Sequence, residues 1–449
     1  MSTTTRTAPQ RQAPPAPPPL VPATSTTPTR PARRGALARA LERTPGQLRA
    51  AGVVGVVVCL LFALLGANAF RNRSDALDAA RDGATQVVRV QGIATNLAQA
   101  DAAVTNAFLQ GGAASPTALQ DFDRFVARAS GAIAEAARAE PGDAPALAQV
   151  NTSLTRYAAA ISSANANNRL GNEVGSAYLR QASQLLRTPS NDYAAILPTL
   201  QSVADTDASR VDDAFGAART SVFFLLGAGL VVLLGLLAVQ AWLARRTRRI
   251  LNIPLTAGTV TVLLAIVVGS IAMFSSQRTA DTVRDTNYAA TKALAQARIA
   301  GYDAKANEAL TLVYRGTGQP YETAWQNQFK VATDNVAAAR AAGVSDTGSG
   351  ALEQWKSVHT EIRKRDEAGN WDDAVRLATG TGNGTSSKAF SGFEQASDKA
   401  LKSEGQAVSG GLSASHTLLL VLGWLTLALG LVAAVLAWRG ISQRLEEYR

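Results

Sequence analysis

Cysteine and histidine are nearly absent from this 449-residue chain, which has one Cys, Cys59, and two His. One thiol builds no disulfide framework, so the class of small secreted domains stapled by bridges is excluded. Metal and hydrolase chemistry needs clustered His, Cys or carboxylates, and neither His359 nor His416 has a second His at helical spacing. The carboxylate pairs Asp212-Asp213 and Asp372-Asp373 are adjacent. On a helix they point in different directions and read as a solvated face and a helix first turn. The glycines of 380–388 hint at a phosphate loop, but Lys388 follows serine and no strand precedes it. The segment therefore reads as a linker. These shortages predict no catalytic residue, no metal and no cofactor.

Charge is missing from four stretches altogether: 50–70, 221–244, 254–274 and 418–438 contain no Asp, Glu, Lys or Arg. About 20 such residues cross a bilayer core as a helix, so the chain is expected to span a membrane four times. The first run begins after 49 residues and reads as a retained anchor rather than a cleaved signal peptide. The short segments 1–49, 245–253 and 439–449 together hold fifteen basic and three acidic residues, whereas the rest holds 29 and 31. Arg245, Arg246, Arg248 and Arg249 make up the charge of the middle loop. The positive-inside rule then places both termini and this Arg loop in the cytoplasm of a multi-pass plasma-membrane protein. The net charge of +10 is accounted for by topology and anionic lipid, with no nucleic acid needed. Trp242 and Trp438 close the second and fourth spans beside Arg, as in an interfacial aromatic belt.

Residues 1–34 hold nine of the 17 prolines and a scatter of Thr. This composition predicts a disordered cytoplasmic arm, followed by a basic juxtamembrane segment over 35–49. The inner segments are too short for an enzymatic domain. Two long outer segments remain, 71–220 and 275–417, both rich in helix formers. Val90, Ile93, Leu97, Ala100, Val104, Ala107 and Gly111 follow a 3-4 spacing, and so do Ala295, Ile299, Tyr302, Ala306, Ala309, Val313 and Gly316. Each series is the seam of a packed, coiled-coil-like helix. Breaks fall in matching places, at Gly111-Gly112 with Pro116 and at Gly316-Thr317-Gly318 with Pro320. The expected fold is an all-α membrane protein. Four transmembrane helices would carry two extracytoplasmic antiparallel helical bundles, as a duplicated span–bundle–span unit.

The long seam, the Gly/Pro-broken distal tip and Trp371-Asp372-Asp373-Ala374-Val375 before the returning helix resemble the four-helix-bundle sensory domains of chemoreceptors and sensor kinases. Those receptors carry signalling helices after a span, and this sequence has none. The whole layout is similar to that of the GlnX-like actinobacterial four-span membrane proteins. This resemblance implies amino-acid sensing, with a glutamine-binding lipoprotein outside and protein kinase G inside. The eight Lys against 36 Arg fit a GC-rich genome.

Candidate contact residues follow from chemistry. Tyr314, Arg315, Tyr321 and Trp325 lie at the tip of the second unit, and Tyr, Trp and Arg are enriched where proteins bind partners. The plainer reading is that Tyr321 and Trp325, spaced i,i+4, cap the bundle core. Asp101 and Asp303 each follow a seam residue, a position that is usually solvated; buried, they would hold an amine or a partner helix. Arg89, Arg315 and Arg340 would grip a carboxylate if they converged. Ala51/Gly55, Ala265/Gly269 and Gly430/Ala434 are small-residue pairs that suit either packing within the chain or a homodimer. In the tail, Ile441, Leu445 and Tyr448 share one helix face and would dock a cytoplasmic partner, a kinase on the resemblance above; simple lipid anchoring by Arg439 and Arg444 is the alternative.

These observations predict a non-enzymatic sensor or signal relay. Its expected partners are the lipid bilayer, a solute or solute-binding protein outside and a separate reader inside. A scaffold or envelope-assembly factor is the alternative. A transporter is disfavoured by the uncharged spans.

Overall fold

The computed structural model describes residues 44–111, 116–247 and 252–446. The N-terminal arm, Arg248, Arg249 and Tyr448 lie outside them. Helix α1 (Thr44–Leu109) is followed by α2 (Pro116–Ala139), α3 (Ala144–Arg169), α4 (Val174–Arg187) and α5 (Ile196–Thr247). The second half repeats this order. Helix α6 (Ile253–Val283) passes through a π-turn, Arg284–Tyr288, into α7 (Ala289–Val313), then come α8 (Gln319–Ala341), α9 (Ser349–Glu367), α10 (Trp371–Thr379) and α11 (Ser386–Glu446). Each half is thus a long helix out, three shorter helices and a long helix back. Among the described residues no strand occurs.

Four helical stretches are long and apolar enough to cross a membrane: Gly46–Leu109, Ile196–Arg245, Ile253–Val313 and Ser386–Gln443. They match the four uncharged runs. None stops at the end of its run, so the bilayer segment and the outer segment are one rod. Helix α1 has 66 residues, about 100 Å at 1.5 Å per residue. The breaks fall where the sequence put them. Gly111 and Gly316 both adopt positive φ, +75° and +72°, the left-handed conformation that ends a helix at no Cβ cost.

The two halves are not side-by-side bundles with separate cores. Helix α1 packs along α5 and α11 and also against α7. One core holds Val90, Ile93, Leu97 and Ala100 with Leu147, Leu186 and Leu200 of the first half and also Leu310 and Tyr314 of the second. Another joins Ala98 and Ala102 to Trp325, Trp355 and Phe393. The first seam is buried as expected, from Val90 through Ala107. The second seam differs: all thirteen residues from Ala300 to Leu312 are buried. A helix enclosed on every side has no solvent face, because α7 lies between the two halves.

Within the membrane, a core of Leu48, Cys59, Phe62, Leu236, Val262 and Ala433 draws on all four spans. The three small-residue pairs serve packing within the chain. A Cβ at Gly430 would meet Ala63 Cβ at 2.5 Å and Ala63 Cα at 2.8 Å, and one at Gly55 would meet Ala437. At Gly269 the neighbours are Phe70 and Leu225. Gly430→Leu is therefore expected to lower the thermal midpoint of the purified chain, by an overpacking cost of about 1–3 kcal/mol. Gly227→Leu, where a Cβ meets nothing within 4 Å, is the matched control. Equal midpoints for the two variants would contradict this span packing.

Candidate functional site

Two buried polar assemblies centre on α7. The first ties the halves together. Arg187, the last residue of α4, reaches Asp101 of α1 through Nη2 at 2.6 Å and Asp303 of α7 through Nε at 2.5 Å. Tyr157 of α3 donates its hydroxyl to the other oxygen of Asp101 at 3.0 Å. Asp101 is 1% exposed and Asp303 5%, so the expectation of solvated acids is overturned. Each follows its seam residue, but α1 and α7 face one another, so the flanking positions turn inward too. Burial works against the Arg187 charge, and the two carboxylates more than compensate, raising its pKa. Burial raises the Asp303 carboxyl despite the guanidinium. Next to Asp303 on α7, the Tyr302 hydroxyl accepts from Gln99 at 2.6 Å and donates to Glu394 at 2.5 Å. A line of hydrogen bonds thus runs from α1 through α7 to α11.

The second assembly lies inside the second half. Lys305 and Glu308 sit one turn apart on α7, with Nζ to Oε1 at 2.5 Å. Ser386, which opens α11, donates to the same oxygen at 2.5 Å. The other oxygen of Glu308 accepts from Trp355 Nε1 and His359 Nδ1 of α9, both at 3.0 Å. His359 Nε2 lies 3.1 Å from Glu322 in the first turn of α8. Arg363 Nε lies 3.3 Å beyond, as an ion pair. Charges alternate along the row: Lys305, Glu308, His359, Glu322, Arg363. Both ring nitrogens of His359 face carboxylates, and only an imidazolium can donate from both. The Trp325 ring stacks on this imidazolium, with centroids 3.5 Å apart at 8°, a cation–π contact. Burial alone would depress the His359 pKa, but the hydrogen bonds and charges of Glu308 and Glu322 reverse that and hold it above its ordinary value. Burial raises Glu308, and Lys305 with His359 overcomes this, bringing it down to about 2. Glu322 is also lowered, its burial outweighed by His359, Gln326 and Arg363.

The tip residues separate. Tyr314 is buried, stacks on half-buried Tyr321 at 4.9 Å and donates to Ser176 O at 2.6 Å. Both rings thereby face the first half. Arg180 of α4 lies over the Tyr314 ring. Trp325 lies in the core that joins Ala98 and Ala102 to Trp355 and Phe393, and so packs inward. Arg315 is exposed and lies 3.5 Å over Trp371. Arg89 bonds Gln86 and Arg340 bonds Ser349, so the three arginines do not converge. Asp372 and Asp373 occupy the first turn of α10. Ile441, expected on a free helix face, is 2% exposed and packs on Gly52. Leu445 continues α11, and Arg245 is exposed near the end of α5.

A family model described as an actinobacterial sensor domain matches residues 76–216. The match begins in α1 just outside the first span and ends in α5 just before the second, so it covers the outer part of the first half. It fits a sensor-type actinobacterial membrane protein. No curated protein and no solved structure matches the chain.

The imidazolium gives the second assembly a defined response to pH. A raised folded-state pKa contributes stability below the unfolded value, about 6.5, and that contribution is lost as pH rises through the folded value. Glu308 and Glu322, both lowered, act oppositely: their contribution is present above about pH 4.5 and lost on acidification. The purified chain should therefore lose thermal stability as the pH is raised above about 6.5. Each tenfold gain in proton affinity of His359 is worth about 1.4 kcal/mol. His359→Gln should flatten this part of the profile; an unchanged slope in that variant would contradict the assignment.

Proposed function

We propose that the chain is a non-catalytic transmembrane sensor and signal relay. Its outer helical body takes up a solute or docks a solute-binding protein, and the rods shared by body and membrane carry the outcome to the other side. The observation that supports this most is the continuity of α1, α5 and α11 from the buried contacts of the outer body into the spans. The sensor-domain match over 76–216 agrees with it. A ligand that prefers one packing of the two halves shifts the population towards it. Rigid helices turn that shift into a small slide or rotation at their far ends. Glutamine or another amino acid as the signal, and a kinase as the reader, rest on likeness of layout alone; the relay does not depend on either.

The charge asymmetry supports an inner position for both ends and the Arg loop. In intact cells a cysteine at Thr317 should then react with a membrane-impermeant thiol reagent, and one at Arg245 should not.

The relay is tested at the far end from the Arg187 clamp. A Cβ built at Gly52 lies 3.7 Å from Ile441 Cβ, within the 3.5–4.5 Å that a disulfide spans. In a Cys59→Ala background, Gly52→Cys with Ile441→Cys should cross-link readily in isolated membranes. Adding Arg187→Ala should change the cross-linking rate several-fold. An unchanged rate would mean that the outer body and the inner ends are uncoupled, and a scaffold role would replace the sensor.

A further inference from the structure

Span one and span four do not close against each other along their whole length. A groove of about 420 Å³ lies between them, rimmed by Leu64, Asn68 and Arg71 of α1 and by Leu420, Trp424 and Leu427 of α11. Leu64 is 62% exposed and Trp424 64%, so the groove opens sideways to the bilayer. Gly423 lets the two helices meet behind it: a Cβ there would touch Phe70 Cβ at 3.4 Å and Ala67 O at 3.6 Å.

The chemistry of the groove is graded with depth. Arg71 is the first charged residue after the uncharged run 50–70 and stands at the mouth, on the side of the helical body. Asn68 lies about one turn deeper and Leu64 about one turn deeper again. Seven residues of helix are about 10 Å, a third of a hydrocarbon core of about 30 Å. Polar groups thus sit at the membrane surface, with apolar walls beneath them. Arg71 and Asn68 are exposed and have no ion pair or hydrogen bond among the described residues. An amide that faces hydrocarbon without a partner is costly. No Asp or Glu lines the groove; the next acid along α1, Asp75, is one turn farther from the membrane.

We propose that this groove is a binding site for one anionic phospholipid of the leaflet next to the helical body. Its phosphate accepts from the Arg71 guanidinium, its ester or head-group oxygens accept from the Asn68 amide, and one acyl chain lies between Leu64, Trp424 and Leu427. The planar fork of arginine matches phosphate oxygens. The lack of an acid in the groove favours an anionic head over one that carries its own ammonium. A second copy of the chain suits this face less well. A two-fold contact through it would bring both Arg71 side chains together at one depth with no acid between them. The inference needs the four spans and not the sensor reading, which the Gly52–Ile441 cross-link decides by itself.

The test uses Trp424 as the reporter. The purified full chain is reconstituted into phosphatidylcholine vesicles, and phosphatidylglycerol or phosphatidylcholine with brominated chains is added in steps. The emission of Trp424 is the difference between the parent and Trp424→Phe. Brominated phosphatidylglycerol should quench it at a several-fold lower mole fraction than brominated phosphatidylcholine. Arg71→Gln should bring the two lipids level, and Arg71→Lys should keep a preference for phosphatidylglycerol. The proposal is overturned if both lipids quench alike in the parent, or if Arg71→Gln leaves the preference intact. It is also overturned if Asn68→Cys, in a Cys59→Ala background, gives a disulfide-linked dimer as the main product in membranes, since a second copy would then cover the groove.

Discussion

Everything outside the membrane depends on how one half-buried guanidinium answers two buried carboxylates. Arg187 brings a charge into the interior, and Asp101 and Asp303 answer it from two different halves of the chain. Removing one member of such a set leaves an uncompensated buried charge, at a cost of about 3–5 kcal/mol. The halves are therefore held in one register by groups that tolerate no sliding. Apolar contact alone would hold them less strictly, since the Ala-rich faces of α1 and α7 could pack in several registers with similar area.

That register explains the character of α7. It is closed in on all sides, so its polar residues are satisfied internally: Asp303 by Arg187, Lys305 by Glu308 and Ser386, and Glu308 by Trp355 and His359. A fully satisfied network rigidifies, whereas a partly satisfied one is costly. Loss of one proton from His359 or of one ion pair at Arg187 thus falls on the helix that both halves share. Because α6 and α7 join through the π-turn at Arg284–Tyr288, the third rod has a local irregularity outside its uncharged run that the other three lack among the described residues. Such turns often occur where helices adjust for function.

Sequence reasoning reached the parts of the structure governed by local pattern. The uncharged runs located the spans, Gly111 and Gly316 ended their helices, and the Val90–Ala107 series faced the core. It failed where partners are distant in sequence. Asp101 and Arg187 are 86 positions apart, and Arg187 and Asp303 are 116 apart. His359 was judged by the lack of another His, yet its partners are carboxylates 51 and 37 positions away. A signal was present in α7, where Asp303, Lys305, Asn307 and Glu308 crowd a helix with an apolar seam. That crowding marks either a solvated face or a buried network, and only the packing of the first half against the second distinguishes them. The burial of Ile441 is hidden from sequence for the same reason: Gly52, which it packs on, is far away in the chain.

The claim that both halves form one body through the Arg187 clamp is tested most directly by native-state hydrogen exchange on the full chain. Amides of residues 97–107 in α1 and 300–312 in α7 should open together with one free energy in the parent. In Arg187→Met both should lose protection by the same amount. If the α7 segment opened at lower free energy while α1 kept its full protection, the halves would be separate folding units and the account would be wrong.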